Sequence, residues 1–215
     1  MVEGRRVDDL SDILLRMGND LTISLITLND LSMNFKKLVE YLDLNRKPDQ
    51  EFEDQGSRMR IYDRLIATIY DKHGNIKDTY DSGWSKNGIT YAGFAEVAAL
   101  IGSGLGGTPF GYVAIGTGTA AFDPTQTALG NELVRKQATV SRVTTSVSND
   151  TTQWVASFSS ADGLSGTSNV SEGGVFNAAT GGTMLCRQTF TPRTLDWDAG
   201  DTFQLTWKVQ VTIVT

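Results

Sequence analysis

Between Val7 and Leu42 apolar residues return on average every 3.5 positions, the longest sustained period in the chain. On a heptad frame Val7, Leu14, Leu21, Leu28, Phe35 and Leu42 fall at a, and Leu10, Met17, Ser24, Leu31 and Leu38 at d. Ten of these eleven seam positions are apolar. One helix cannot bury such a stripe in water, so the pattern predicts helices that supercoil around partners. Apolar Ile13, Leu25, Val39 and Tyr41 on the flanking positions widen the seam and favour three strands over two. Leu10, Leu14, Met17, Leu21, Leu28, Leu31, Phe35, Leu38 and Leu42 are the expected oligomer interface. A competing reading breaks the stripe at Gly18-Asn19-Asp20 into two short helices, because Asp caps helices well and Gly is a poor interior residue.

The helical period ends at Asn45-Arg46-Lys47-Pro48, where proline removes a helix donor and forces its predecessor out of the helical region. A polar linker over 48–58 follows, and from Met59 the period shifts towards 2. MRIYDRLIATIYD reads as one long strand or two broken near Asp63, and Lys72 to Asn75 as a turn into the strand IKDTY. One short helix is expected between Trp84 and Gly107, capped by Thr90, with Phe94, Val97, Ala98 and Ile101 on the face that covers a sheet. FGYVAI is the next strand. Beyond Gly130, KQATVSRVTTSV and TQWVASFS flank a hairpin at Ser148 to Asp150, and NVSEGGVF and TMLCRQTF flank another at Asn177 to Gly182. In the last strand Phe203, Leu205, Trp207, Val209, Val211 and Ile213 alternate with polar residues, which predicts one face in a core and one in water. The fold class expected is mainly β with an N-terminal α-helical coiled coil: residues 1–47 helical, 48–58 linker, and 59–215 an antiparallel, jelly-roll-like β-sandwich with one short helix.

Charge and composition narrow the function classes. The net charge of −6 over 215 residues argues against nucleic acid or anionic membrane as a main partner, since both need a positive surface. A single cysteine, Cys186, rules out an internal disulfide and Cys-rich metal sites, and its apolar neighbours suit a small strand residue. The charged start MVEGRRVDDL does not read as a signal peptide, and no apolar run reaches membrane-spanning length, so synthesis in a cytoplasm without membrane insertion is expected.

Candidate chemistry is sparse. His73, the one histidine, lies next to Gly in a turn and reads as a solvated residue rather than a base. Gly102, Gly104 and Gly107 match a dinucleotide-binding pattern, but a helix precedes them and a strand follows, the reverse of what a pyrophosphate cradle needs. A second near-match, Gly116 to Ala121, follows a strand but runs into Asp123-Pro124. Asp196, Asp198 and Asp201 hint at a calcium loop, yet the twelfth position is Trp207 where a glutamate is required, so a hairpin turn is the better reading. Glu96, Asp123, Glu132, Asp162 and Glu172 are scattered, and nothing selects a catalytic pair. Trp154 and Trp207 belong to apolar strand faces, while Trp84 and Trp197 lie near turns, where a ring could stack on sugar; burial is the default for these too. No cofactor and no metal ligand set is expected.

The segments YVAIGTGTAAFDPTQTALGNELVR, EGGVFNAATGGTMLCRQTF and DAGDTFQLTWKVQVT resemble small structural proteins of tailed bacteriophage and related head-tailed virus particles. The likeness runs from about Trp84 to Thr215 and rests on Gly-rich turns. It implies a compact β-sandwich, commonly a homotrimer, that attaches to head, neck or tail proteins of the virion as an accessory fibre, collar or decoration element. Two alternatives remain: a receptor-binding module that grips a host-surface glycan, and a polysaccharide-degrading virion enzyme.

Overall fold

A computed structural model describes residues 58–85 and 88–214. The heptad segment, the linker and the predicted interface residues lie outside the described residues. Among the described residues nine strands form two antiparallel sheets, and one α-helix lies between the second and third strands in sequence. The first sheet has the order β2-β1-β9-β6-β5, built from β1 (Arg58–Tyr70), β2 (Ile76–Asp81), β5 (Thr139–Val143), β6 (Thr151–Phe158) and β9 (Thr202–Val214). The second has the order β4-β3-β7-β8, built from β4 (Glu132–Gln137), β3 (Tyr112–Gly116), β7 (Thr167–Phe176) and β8 (Met184–Asp196).

Strand β1 runs unbroken through Asp63 and pairs with β9 along its whole length. The predicted alternation in β9 is real: Phe203, Leu205 and Trp207 are buried on one face, and register sets each of them in a row across three strands. The rows are Leu65–Trp207–Trp154, Ala67–Leu205–Ala156 and Ile69–Phe203–Phe158. Side chains directly opposite on one face pack against each other, so the middle row of two alanines leaves room for the larger rows on either side. The second sheet contributes Val113, Ile115, Val175 and Cys186 to the same buried cluster. Gly173 of β7 shows how closely the two sheets approach: a Cβ there would lie 2.7 Å from a Leu205 methyl. The outer face of β9 is less open to water than predicted, because Gln210 is buried and donates to Asp150 (2.8 Å) and Ser146 (2.9 Å).

Local signals explain the turns. The Asp71 carboxylate accepts the backbone N–H groups of His73 (2.8 Å) and Asn75 (2.9 Å), an Asx-type clamp that closes the β1–β2 hairpin and leaves His73 exposed. Helix α1 (Tyr91–Ile101) starts where expected: the Thr90 hydroxyl accepts the Gly93 N–H (2.9 Å) and donates to the Met184 carbonyl (2.6 Å). Gly93 lets α1 press on β8, since a Cβ would come within 2.4 Å of the Leu185 carbonyl.

Two expectations are corrected. KQATVSRV is not one strand, for β4 ends at Gln137 in the second sheet and β5 starts at Thr139 in the first. Ala138, whose N–H bonds the Gly111 carbonyl (2.9 Å), is the corner at which the chain changes sheets. The apolar face of α1, expected to cover one side or end of a sheet, does so only in part. Val97 packs against the core, but Phe94 and Ile101 are 48% and 74% exposed.

Candidate functional site

Three places combine residues from distant parts of the chain: a buried ion pair, a buried polar bridge between the sheets, and an open apolar cleft. The ion pair joins Glu172 of β7 to Arg187 of β8, both wholly buried, with Arg187 Nε donating to Glu172 Oε2 at 2.8 Å. The outward faces of Glu172 and Arg187 are roofed by the loop 117–131 between β3 and β4. Glu172 gathers the N–H groups of Gly118 (2.8 Å), Gly130 (2.9 Å) and Asn131 (2.7 Å) from that loop. Arg187 Nη1 donates to the Ala120 carbonyl and to Gln126 Oε1, both at 3.0 Å. Burial works to raise the Glu172 pKa, but the Asn131, Gly130 and Gly118 N–H groups and the Arg187 guanidinium outweigh it and hold the carboxyl below its ordinary range. Gly118 is required by this contact, because a Cβ there would lie 2.4 Å from Glu172 Oε1. The Gly116 to Ala121 motif thus supplies one N–H, that of Gly118, to an anion, and the anion is the chain's own glutamate. Leu129 of the same loop joins Ala114, Phe176 and Met184 in a small second cluster.

The polar bridge centres on Asp63 of β1, which is 1% exposed. Its Oδ2 accepts from Gln188 Nε2 of β8 at 2.5 Å and its Oδ1 from the Ser85 hydroxyl at 3.1 Å. Desolvation raises its pKa to about 6 against the opposing pull of the Gln188 and Ser85 bonds. A carboxyl so shifted is a recurrent mark of catalytic sites. Here both oxygens are engaged, Oδ2 across to the second sheet and Oδ1 by Ser85, and Gly88 closes over Oδ2, where a Cβ would fall 2.5 Å away. Beside it lies a cavity of about 240 Å³ lined by Tyr80, Ser82, Ser85, Phe122, Gln188 and Thr189, among others.

Most of the remaining acids named from sequence are also engaged. Glu132 pairs with Arg135 (2.7 Å), Asp162 with Lys136 (2.6 Å), and Asp123 caps Thr125 (2.8 Å), while Glu96 accepts the Thr108 N–H and the Asn177 amide. Asp196, Asp198 and Asp201 form the β8–β9 turn, in which Asp201 takes Lys77 Nζ at 2.6 and 2.7 Å and the Asp196 N–H at 3.0 Å. Among the described residues no group of three or more His, Cys, Asp or Glu is placed to hold a metal ion. Cys186 is fully buried, and desolvation pushes its thiol well above the ordinary range. Trp197 is not free to stack on a sugar, being 1% exposed with Nε1 on Ser168 Oγ (2.9 Å); Trp84 is half-buried. Trp154 is core and donates to the Phe110 carbonyl (2.8 Å).

The third place is a cleft of about 520 Å³ walled by Met59, Arg60 and Ile61 on one side and Phe94, Val97, Ala98 and Ile101 on the other. Register puts Met59 opposite Ile213 and Ile61 opposite Val211, so the apolar row of the first sheet continues past the core. Exposure along β9 climbs from 0% at Trp207 to 8% at Val209, 44% at Val211 and 64% at Ile213. Fully burying a side chain of this size is worth about 1.5–3 kcal/mol, so leaving Met59, Ile101 and Ile213 open forgoes a sizeable gain. From sequence the α1 face was expected to cover one side or end of a sheet and the end of β9 to continue the buried row; the exposure of both carries no local signal.

No protein family, curated protein or solved structure matches the chain.

Proposed function

We propose that the chain is a non-enzymatic virion structural protein, a trimeric accessory fibre, collar or decoration element of a tailed bacteriophage or related head-tailed virus. In this reading residues 1–47 form a coiled coil, the two sheets form a β-sandwich of jelly-roll type, and the protein is made in the host cytoplasm and carried on the particle. One observation carries the reading: an apolar heptad stripe with ten of eleven seam positions filled leads into a unit whose buried polar groups hold its own loops and sheets together. The Gly-rich segments that resemble virion proteins add to it: the stretch around Gly118 and Gly130 folds over Glu172, which makes those glycines structural.

A second reading, a receptor-binding module for a host-surface glycan, is favoured by the cavity beside Asp63, where Tyr80 and Phe122 stand among Ser82, Thr189 and Gln188. A polysaccharide-degrading enzyme has the least support, as the carboxylates are spent on structural partners. The test is to purify particles of the encoding virus, identify this chain in them by mass spectrometry, and locate its density in a particle map. Absence from particles ends the structural reading. Presence together with saturable binding on a glycan array moves the second reading ahead.

A further inference from the structure

We propose that the cavity beside Asp63 binds a single neutral sugar residue, held by its hydroxyl groups; this deepens the second reading above, on which it rests, by naming the ligand class and the place. Three distant segments converge on the cavity of about 240 Å³: Tyr80, Ser82 and Ser85 around the end of β2, Phe122 from the loop over the ion pair, and Arg187 to Thr189 of β8. Pockets for drug-sized ligands run from about 300 Å³ upwards, so this one has room for about one ring.

Hydrogen-bonding capacity selects the class. The Ser82 hydroxyl donates to the Gly83 carbonyl (2.8 Å), and the Ser85 hydroxyl donates to Asp63 Oδ1 (3.1 Å). A hydroxyl has one proton to give. Towards a molecule in the cavity both oxygens can therefore act only as acceptors, which suits a ligand bearing O–H groups and disfavours a carboxylate, which brings acceptors alone. Arg187 does not reverse that preference. Among the described residues it is the one charged side chain in the wall, and Glu172 balances its charge. It does contribute a donor, since its Nη2 lies 2.8 Å from Glu172 Oε2 yet makes no hydrogen bond, although Arg187 is wholly buried. A buried donor left unsatisfied is costly, and a hydroxyl oxygen is an acceptor that suits it. A group that gives protons to two serines and accepts one from a guanidinium is a polyol. The aromatic wall completes the match. Phe190 stacks on Tyr80 at 5.4 Å and the Arg193 guanidinium lies 5.5 Å from the Tyr80 ring, so that ring is fixed from within the fold. Phe122, half-buried and outside both apolar clusters, is the ring left for the C–H face of a sugar.

NMR titration of the full chain, isotope-labelled, tests this with methyl glycosides of glucose, galactose and mannose, and with methyl glucuronide as the charged control. A ligand of about a dozen heavy atoms at the efficiency usual for drug-sized binders dissociates at about 1 mM. The proposal expects at least one neutral glycoside to saturate near that value and to shift amides of residues 80–85 and 187–189, with glucuronide at least ten-fold weaker. Thr189→Leu, which fills the cavity, and Phe122→Ala, which removes the ring, should each weaken binding at least ten-fold with the thermal midpoint little changed. No saturation by any neutral glycoside at about 10 mM, ten times the expected constant, overturns the proposal. So does glucuronide binding as tightly, or a shift pattern that leaves the cavity amides silent. Binding at the cavity by a sugar that fails to compete with particle adsorption to host cells sustains the site and removes the receptor reading. Binding to a glycan array that both variants retain in full keeps the receptor reading and overturns this site.

Discussion

Replacing Glu172 by Ala should be among the most damaging single changes in the β unit. The substitution strips a wholly buried Arg187 of its counter-ion and leaves the N–H groups of Gly118, Gly130 and Asn131 without their acceptor. Removing one partner of a buried ion pair costs about 3–5 kcal/mol, and each stranded N–H about 1–3 kcal/mol if it stays buried. The loop 117–131 can lift and hydrate, so these terms do not add, and the expected loss is about 3–5 kcal/mol out of a total stability of about 5–15 kcal/mol. For a domain of this size that is a fall in thermal midpoint of about 6–20 °C. Glu132→Ala, which removes a partly exposed partner of Arg135, should cost less than about 1 kcal/mol and serves as the control. Urea denaturation of the full chain gives the energies, and limited proteolysis within residues 117–131 reports the loop. Because the Glu172 carboxyl is held below its ordinary range, its stabilisation is full above the unfolded value of 4.5 and fades as pH falls through the folded one, so wild type and Glu172→Gln should converge in acid. A double-mutant cycle with Arg187→Ala should show the two losses to be strongly non-additive. A cost below about 1 kcal/mol for Glu172→Ala, or simple additivity in the cycle, refutes the role given to the pair.

Asp63→Asn should behave in the opposite sense with pH. With the folded carboxyl raised from 3.8 to about 6, Asp63 is best tolerated below 3.8 and becomes a growing cost as pH rises to 6, so the stability of Asp63→Asn relative to wild type should increase by about 2 kcal/mol between pH 4 and pH 7 in denaturant titrations. A flat difference would show that the burial of Asp63 is not what shifts it. Trp207→Ala should cost about 3–5 kcal/mol and lose soluble β unit at physiological temperature, whereas Lys208→Ala on the opposite face should change the midpoint little; equal effects would contradict the division of faces in β9. Arg135 stacks 3.5 Å over Phe176 and donates to the carbonyls of Ala178 (3.1 Å) and Gly181 (2.8 Å), so Arg135→Lys should lose about 1–3 kcal/mol by thermal denaturation and open the 177–182 turn to protease.

What could be read from sequence was local. The alternation of β9, the Thr90 cap, the Asp71 turn and the Gly-rich β7–β8 hairpin are each specified within a few residues, and each appears where expected. Properties that depend on register were hidden. Glu172 stood in the sequence as one of several scattered acids and nothing paired it with Arg187; strand register and the fold of a distant loop over them make them a buried pair. One sequence signal pointed there: Gly173-Gly174 inside a strand marks a close approach, and these two glycines meet Leu205 on one face and Leu129 on the other. The change of sheet at Ala138 was invisible because KQATVSRV keeps its alternation across the corner. The open apolar cleft was invisible for a related reason, since helical spacing shows that a residue faces something apolar and cannot say whether that surface belongs to the same chain.

Assembly through the heptad stripe is the claim on which the rest depends, and sedimentation equilibrium of the full chain tests it. Wild type should sediment at three times the 23.4 kDa chain mass, and Leu28→Asp with Leu31→Asp, which places two charges in the seam, should sediment at the mass of one chain. A wild-type monomer, or a doubly substituted protein that keeps the wild-type mass, contradicts it.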